Sequence, residues 1–175
     1  MDASRFWAMI EEARGLADGD DAAERCASQA QHLTELLKDR SAAEIEAFER
    51  RFHEYMNESY RWDLWGAAYI IHGGCSDDAF DYFRAWLIGQ GRETFERALK
   101  DPESLLAVCQ SEPDPANVDF TCEDLMYAAA DAYIARTAED LDVPLPQRPD
   151  DPRGKEWTDE ELPRLFPRLW KHFEG

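Results

Sequence analysis

Three acids and one arginine recur along one face of a predicted helix, and side chains of these types could bind a metal or form an ion-pair network. They are Asp77, Asp78, Asp81 and Arg84, and we call them the polar stripe. At 100° per residue they share an arc of about 120°, while the opposite side of the helix carries large apolar residues. Buried carboxylates cost free energy unless they are paired or hydrogen-bonded. The stripe is therefore expected either to line a cleft or to be neutralised inside the fold.

Two helices must position the polar stripe, and the sequence predicts them over 62–72 and 76–90. Both segments are apolar on almost every side, which is typical of buried helices. Gly73 and Gly74 predict the turn between them, and Ser76 predicts the N-cap of the second helix. We expect this hairpin to form the centre of the fold.

The hairpin geometry predicts how the charges pair. If the two helices are antiparallel, Asp63 lies level with Arg84, so we predict an Asp63–Arg84 salt bridge with Asp81 helping from one turn away. Asp77 and Asp78 lie in the first turn of the second helix, where the macrodipole and free N–H groups favour negative charge. Every charge in the hairpin therefore has a structural explanation.

The same segment also allows an enzymatic alternative. The acids of the polar stripe have the spacing i, i+1, i+4, and hard divalent cations prefer oxygen ligands. An anion such as phosphate could bind at the turn before Ser76. His72 lies close in sequence to Cys75, and such a pair could activate the thiol as a nucleophile. A packed thiol is nevertheless the preferred interpretation of Cys75. The chain has no nucleophile elbow, phosphate-binding glycine loop or zinc-protease helix motif. We therefore predict no cofactor and no resident metal.

The remaining elements predict an all-α, single-domain helical bundle. Three amphipathic helices with short joints precede the hairpin, and the third opens with a capping box formed by Ser41 and Glu44. Pro167 is expected to end or kink the last helix. We divide the chain into a helical core domain over 1–137, a proline-rich linker over 138–157, and a C-terminal helix over 158–175 that docks on the core or on a partner subunit.

The excess of acidic residues indicates which classes of binding partner are favoured and disfavoured. Asp and Glu number 38 against 19 Lys and Arg, a formal net charge of -19. That excess disfavours binding to duplex nucleic acid and to anionic membranes, and it favours encounter with a basic protein partner. The four cysteines form no C-x-x-C pair and the first residues lack an apolar signal region, so we expect reduced thiols, Cys75 and Cys122 as core fillers, and a cytoplasmic location.

Several blocks of sequence carry a family resemblance. They are Phe6-Trp7-x-x-Ile10, the residues from Trp62 to Ile71, the turn Gly73-Gly74-Cys75-Ser76-Asp77-Asp78, and the block from Phe80 to Gly91. In these blocks the chain resembles the bacterial family catalogued as domain of unknown function 4240, over about residues 1–135. The resemblance implies no catalytic residue, because that family has no assigned activity.

Together these patterns favour an acidic helical module that binds a protein partner, with a basic partner preferred, and that is not an enzyme. The alternative is a metal- or phosphate-handling enzyme built on the polar stripe. The oligomeric state follows from none of these patterns. The candidate binding residues under either hypothesis are Asp63, His72, Ser76, Asp77, Asp78, Asp81 and Arg84.

Overall fold

The computed structural model describes residues 1–112 and 119–174, and the described chain is built from helices. The α-helices are α1 Ala3–Leu16, α2 Ala22–Lys38, α3 Ala42–Glu58, α4 Trp62–His72, α5 Asp77–Gly89, α6 Arg92–Lys100, α7 Leu105–Cys109, α8 Ala128–Thr137, α9 Leu162–Leu165 and α10 Pro167–Phe173. The only β-type contact among the described residues is an isolated bridge between Arg61 and Arg153. The predicted all-α class is confirmed. The prolines Pro113 and Pro115 also predict a loop over 111–120, and its residues 113–118 lie outside the described residues.

Local sequence explains where the helices of the hairpin begin and end. α4 stops at Gly73, whose φ of 64° is left-handed, and the N–H of Gly74 donates to the carbonyl of Tyr69 at 2.8 Å. Ser76 then caps α5, its hydroxyl accepting from the N–H of Ala79 at 3.3 Å. The first helix therefore forms over the predicted residues 62–72, and the second is one residue shorter at each end than the predicted 76–90.

α5 forms the centre of the fold, because all seven residues from Phe83 to Gly89 are buried. It touches α1, α2, α3, α4 and α6, and the 3₁₀ turn Glu123–Met126. α2 and α8 pack closely on each other, and α3 also packs against α8. No described helix combines the length and the apolar composition that crossing a bilayer requires.

The predicted C-terminal helix over 158–175 is interrupted at Phe166 and forms α9 and α10. Pro167 begins the second of these helices, where its missing N–H is no loss. Leu162, Phe166 and Leu169 are buried, and α10 packs against α4. A Cβ at Gly66 of α4 would lie 2.7 Å from the Phe166 ring, so the glycine permits this close approach.

The expectation of four reduced thiols is wrong. Cys26 of α2 and Cys122 form a disulfide with their Cα atoms 5.6 Å apart, while Cys75 and Cys109 are free. The packing of α2 against the segment before α8 brings the two cysteines together across 96 residues of sequence, a separation that spacing patterns do not register. The disulfide lines an open cavity of about 440 Å³ between α1, α2 and α5. The cytoplasmic location thus loses its support from the thiols and stays a prediction.

Candidate functional site

Arg84 is the best-enclosed charged residue of the predicted site. It lies in the buried run of α5 and is 1% exposed. Its guanidinium donates to the backbone carbonyl of Met56 at the end of α3 and to Asp81 one turn earlier. Its Cζ lies 4.9 Å from the ring centroid of Tyr60 and 5.0 Å from that of Phe80. Burial lowers the pKa of Arg84, and the adjacent Asp81 carboxylate opposes that shift.

Asp81 receives a second cation from the far end of the chain. The Nη1 of Arg148 lies 3.2 Å from Asp81 Oδ2, and the Cζ of Arg148 lies 4.2 Å from the Tyr60 ring centroid. One half-buried carboxylate is therefore shared by two guanidinium groups that also contact the same aromatic ring. We call Asp81, Arg84, Arg148 and Tyr60 the closed network, in which Arg84 is buried and Arg148 lies at the exposed edge.

The predicted Asp63–Arg84 salt bridge is wrong. Asp63 pairs instead with Arg61, whose Nε and Nη2 donate to its two oxygens at 2.9 and 2.6 Å. Asp63 Oδ1 also accepts from the N–H of Leu64 at 2.8 Å. The face of α4 that carries Gly66, one turn after Asp63, packs on Phe166 and Trp157. The hairpin therefore does not bring Asp63 to Arg84.

The polar stripe is thus divided between two environments. Asp77 and Asp78 are exposed in the first turn of α5, while Asp81 and Arg84 belong to the closed network. Ser76, also exposed, uses its hydroxyl to cap the helix. Within 1–112 and 119–174, no three His, Cys, Asp or Glu side chains are grouped as a metal site requires.

His72 and Cys75 lie in environments that keep both side chains uncharged. His72 packs edge-on against Phe83, with ring centroids 5.8 Å apart, and its Nε2 is buried without a hydrogen-bond partner among the described residues. Burial lowers the pKa of His72, although the charge of Asp119 opposes this. Burial, with the nearby charge of Asp77, raises the pKa of Cys75 to about 12. A protonated thiol is a poor nucleophile, which favours the packed-thiol interpretation.

The sequence-based site omitted the residues that bring the C-terminal segment to the hairpin. Asn57, at the end of α3, donates through Nδ2 to the carbonyls of Pro146 and Gln147. Trp157 Nε1 donates to the carbonyl of Trp62 at 2.7 Å. The placement of Arg148 between two prolines was the available signal, because prolines restrict the backbone on both sides of it.

A second polar surface, absent from the predicted site, runs between α2 and α8. We call this cavity of about 290 Å³ the acidic groove; it is lined by Ala27, Ala30, Gln31, Thr34, Asp124, Tyr127 and Asp131. It shares Ala27 and Gln31 with a shallower depression lined by Asp18, Asp20 and Glu24. Tyr127 is 52% exposed, and its hydroxyl donates to Glu123 at 3.0 Å. That hydrogen bond and the charge of Glu123 raise the pKa of Tyr127.

Comparison with known proteins assigns the family but no activity. The model of a family described as a protein of unknown function, DUF4240, matches residues 1–135. No match is found among curated proteins or among solved structures. The matched residues include α1 to α7, the closed network apart from Arg148, and most of α8. With 135 of its 175 residues matched, the chain belongs to the DUF4240 family.

Proposed function

We propose that this chain is a non-enzymatic protein-interaction module whose partner presents a basic segment to the acidic groove. The observation that carries the proposal is the lining of that groove, which combines two carboxylates and an exposed aromatic ring with small and uncharged polar side chains. Asp124, Asp131 and the acids of the adjoining depression have no ion-pair partner among the described residues. Their negative potential is therefore open to a ligand.

The chemistry of the groove suits lysine and arginine side chains. Carboxylates accept charge-assisted hydrogen bonds from either cation, and the face of Tyr127 can attract a guanidinium or ammonium group. Ala27 and Ala30 leave room for the aliphatic stems of long cationic side chains, which bury readily against apolar surface. The net charge of -19 would accelerate encounter with such a partner.

The closed network supports the same proposal because it argues against the enzymatic alternative. An enzyme acting on phosphate or a metal through the polar stripe would need its charges available to the substrate. Arg84 instead donates to Asp81 and to a backbone carbonyl within the core. These contacts favour a structural role for the charged pair over a role in substrate binding.

The proposal is tested by comparing two double variants that remove the same charge. Asp124→Asn/Asp131→Asn neutralises the groove, and Glu139→Gln/Asp140→Asn neutralises two exposed acids after the end of α8. A fluorescein-labelled peptide of alternating lysine, arginine and alanine is titrated against each full chain by fluorescence anisotropy at low and physiological salt. We expect the groove variant to bind about fivefold more weakly than the wild type, and the control to stay within about twofold. Equal losses in the two variants would show that only net charge attracts the peptide and would overturn the proposal.

A further inference from the structure

A proline-rich segment of the chain without helical structure packs on the junction of α3 and α4. We call residues 146–153 the strap, and the surface beneath it the corner groove, formed by Asn57, Tyr60, Asp81 and the backbone from Tyr60 to Trp62. The strap has no helix of its own. Its contacts therefore show which chemical groups the corner groove recognises.

The corner groove binds the backbone of the strap at both of its ends. Asn57 Nδ2 lies 3.3 Å from the carbonyl oxygen of Pro146 and 3.1 Å from that of Gln147. At the other end, the N–H of Arg153 donates to the carbonyl of Tyr60 at 2.9 Å, and its carbonyl accepts from the N–H of Trp62 at 2.9 Å. These four hydrogen bonds all involve backbone groups of the strap, so they recognise an extended backbone independently of its side chains.

One side chain of the strap is recognised specifically. Arg148 forms an ion pair with Asp81 and packs on the Tyr60 ring. Arg153, by contrast, is held through its backbone N–H and carbonyl, and its side chain is exposed. Pro152 is buried, while Pro146 and Pro149 are partly buried. The requirement is thus for an arginine flanked by prolines.

Two further observations distinguish the strap from an ordinary part of the core. Most of its residues are partly or fully exposed, and Pro152 is its one buried residue. The family match contains all four elements of the corner groove and ends before the strap begins. The receptor surface therefore lies within the matched region, while the segment that occupies it lies outside that region.

We infer that the corner groove is a binding site for a proline-rich, arginine-bearing segment of another polypeptide, and that the strap occupies this site in cis. Aromatic grooves that bind proline-rich segments are a recurrent mode of recognition, because prolines reduce the entropy lost on binding. A tethered competitor acts at an effective concentration in the millimolar range. A partner segment therefore binds when it displaces the strap. This surface is separate from the acidic groove, and its test uses different residues.

The experiment measures binding of a fluorescein-labelled peptide with the sequence of residues 144–154 to full-length chains. Arg148→Ala in the chain removes the specific contact of the strap, and the matched control Arg153→Ala leaves its backbone contacts intact. We expect the Arg148→Ala chain to bind the peptide about tenfold more tightly than the wild type or the control chain. Adding Asn57→Ala to the Arg148→Ala chain should remove this gain. Circular dichroism checks folding, and Arg148→Lys replaces the alanine variant if that variant does not fold.

The reciprocal test places the same two substitutions in the peptide instead of in the full-length chain. A peptide with Arg148→Ala should lose binding to the Arg148→Ala chain, and a peptide with Arg153→Ala should keep it. The inference is overturned if the chain variants Arg148→Ala and Arg153→Ala bind the peptide equally, or if the two peptide variants bind equally. The groove variant Asp124→Asn/Asp131→Asn should bind as its parent does, which separates this result from the fate of the proposed function.

Discussion

The closed network on α5 and the acidic groove between α2 and α8 are built from the same acidic residue type with opposite results. Asp81 is held between two guanidinium groups beside an aromatic ring. Asp124 and Asp131 line the same cavity as an aromatic ring, and neither forms an ion pair with another described residue. The comparison teaches that the position of the arginines, more than that of the acids, determines whether a carboxylate stabilises the fold or remains free for a partner.

The strongest test of this difference removes the central cation. Arg84→Met leaves Met56 without its donor and Asp81 with only Arg148, so we expect the free energy of unfolding to fall by about 3 kcal/mol. Urea denaturation measures this loss. Asp124→Asn, which touches no cation, should change stability by less than about 0.5 kcal/mol. A loss below that value for Arg84→Met would show that the network is not structural.

A smaller effect is expected where the C-terminal segment covers the hairpin. Gly66→Ala would place a Cβ 2.7 Å from Phe166 and 3.0 Å from Trp157 Nε1, so we expect a loss of about 1–3 kcal/mol in thermal or urea unfolding. The matched control is Gly15→Ala in α1, where a Cβ would meet nothing within 4 Å. Helix propensity predicts a small gain there. Equal effects at the two sites would show that the segment is loosely attached.

The smallest expected effect is a pH dependence of the thermal stability that comes from the buried side chain of His72. Because burial lowers the pKa of His72 in the folded state, the unfolded chain takes up the proton first as pH falls below about 6.5. The contribution of neutral His72 to stability is therefore present above that pH and lost below it. We expect the melting temperature of the wild type to fall more between pH 7.5 and 5 than that of His72→Gln. Parallel curves would contradict this assignment.

The sequence predicted local features of the hairpin better than its partners. Periodicity and capping residues placed α4 and α5 almost to the residue, because N-caps and glycine stops act within one turn. The Asp63–Arg84 pair failed because it depended on which face of α4 meets α5, and that face is chosen by Phe166 and Trp157, about a hundred residues away. Arg148 was missed for the same reason, since an ion pair between distant segments leaves no periodic signal.

The cysteine prediction failed in a related way, and its correction has a consequence for the topology of the chain. The Cys26–Cys122 bond spans 96 residues of sequence and turns the chain from Cys26 in α2 through α7 to Cys122 into a covalent ring. Constraining a loop of this size removes enough entropy from the unfolded ensemble to stabilise a protein by about 4–5 kcal/mol. α1 and the C-terminal segment with its strap lie outside the ring. The chain is therefore a cyclised middle with two linear arms, and a single backbone cut within the ring would leave both pieces attached until the bond is reduced.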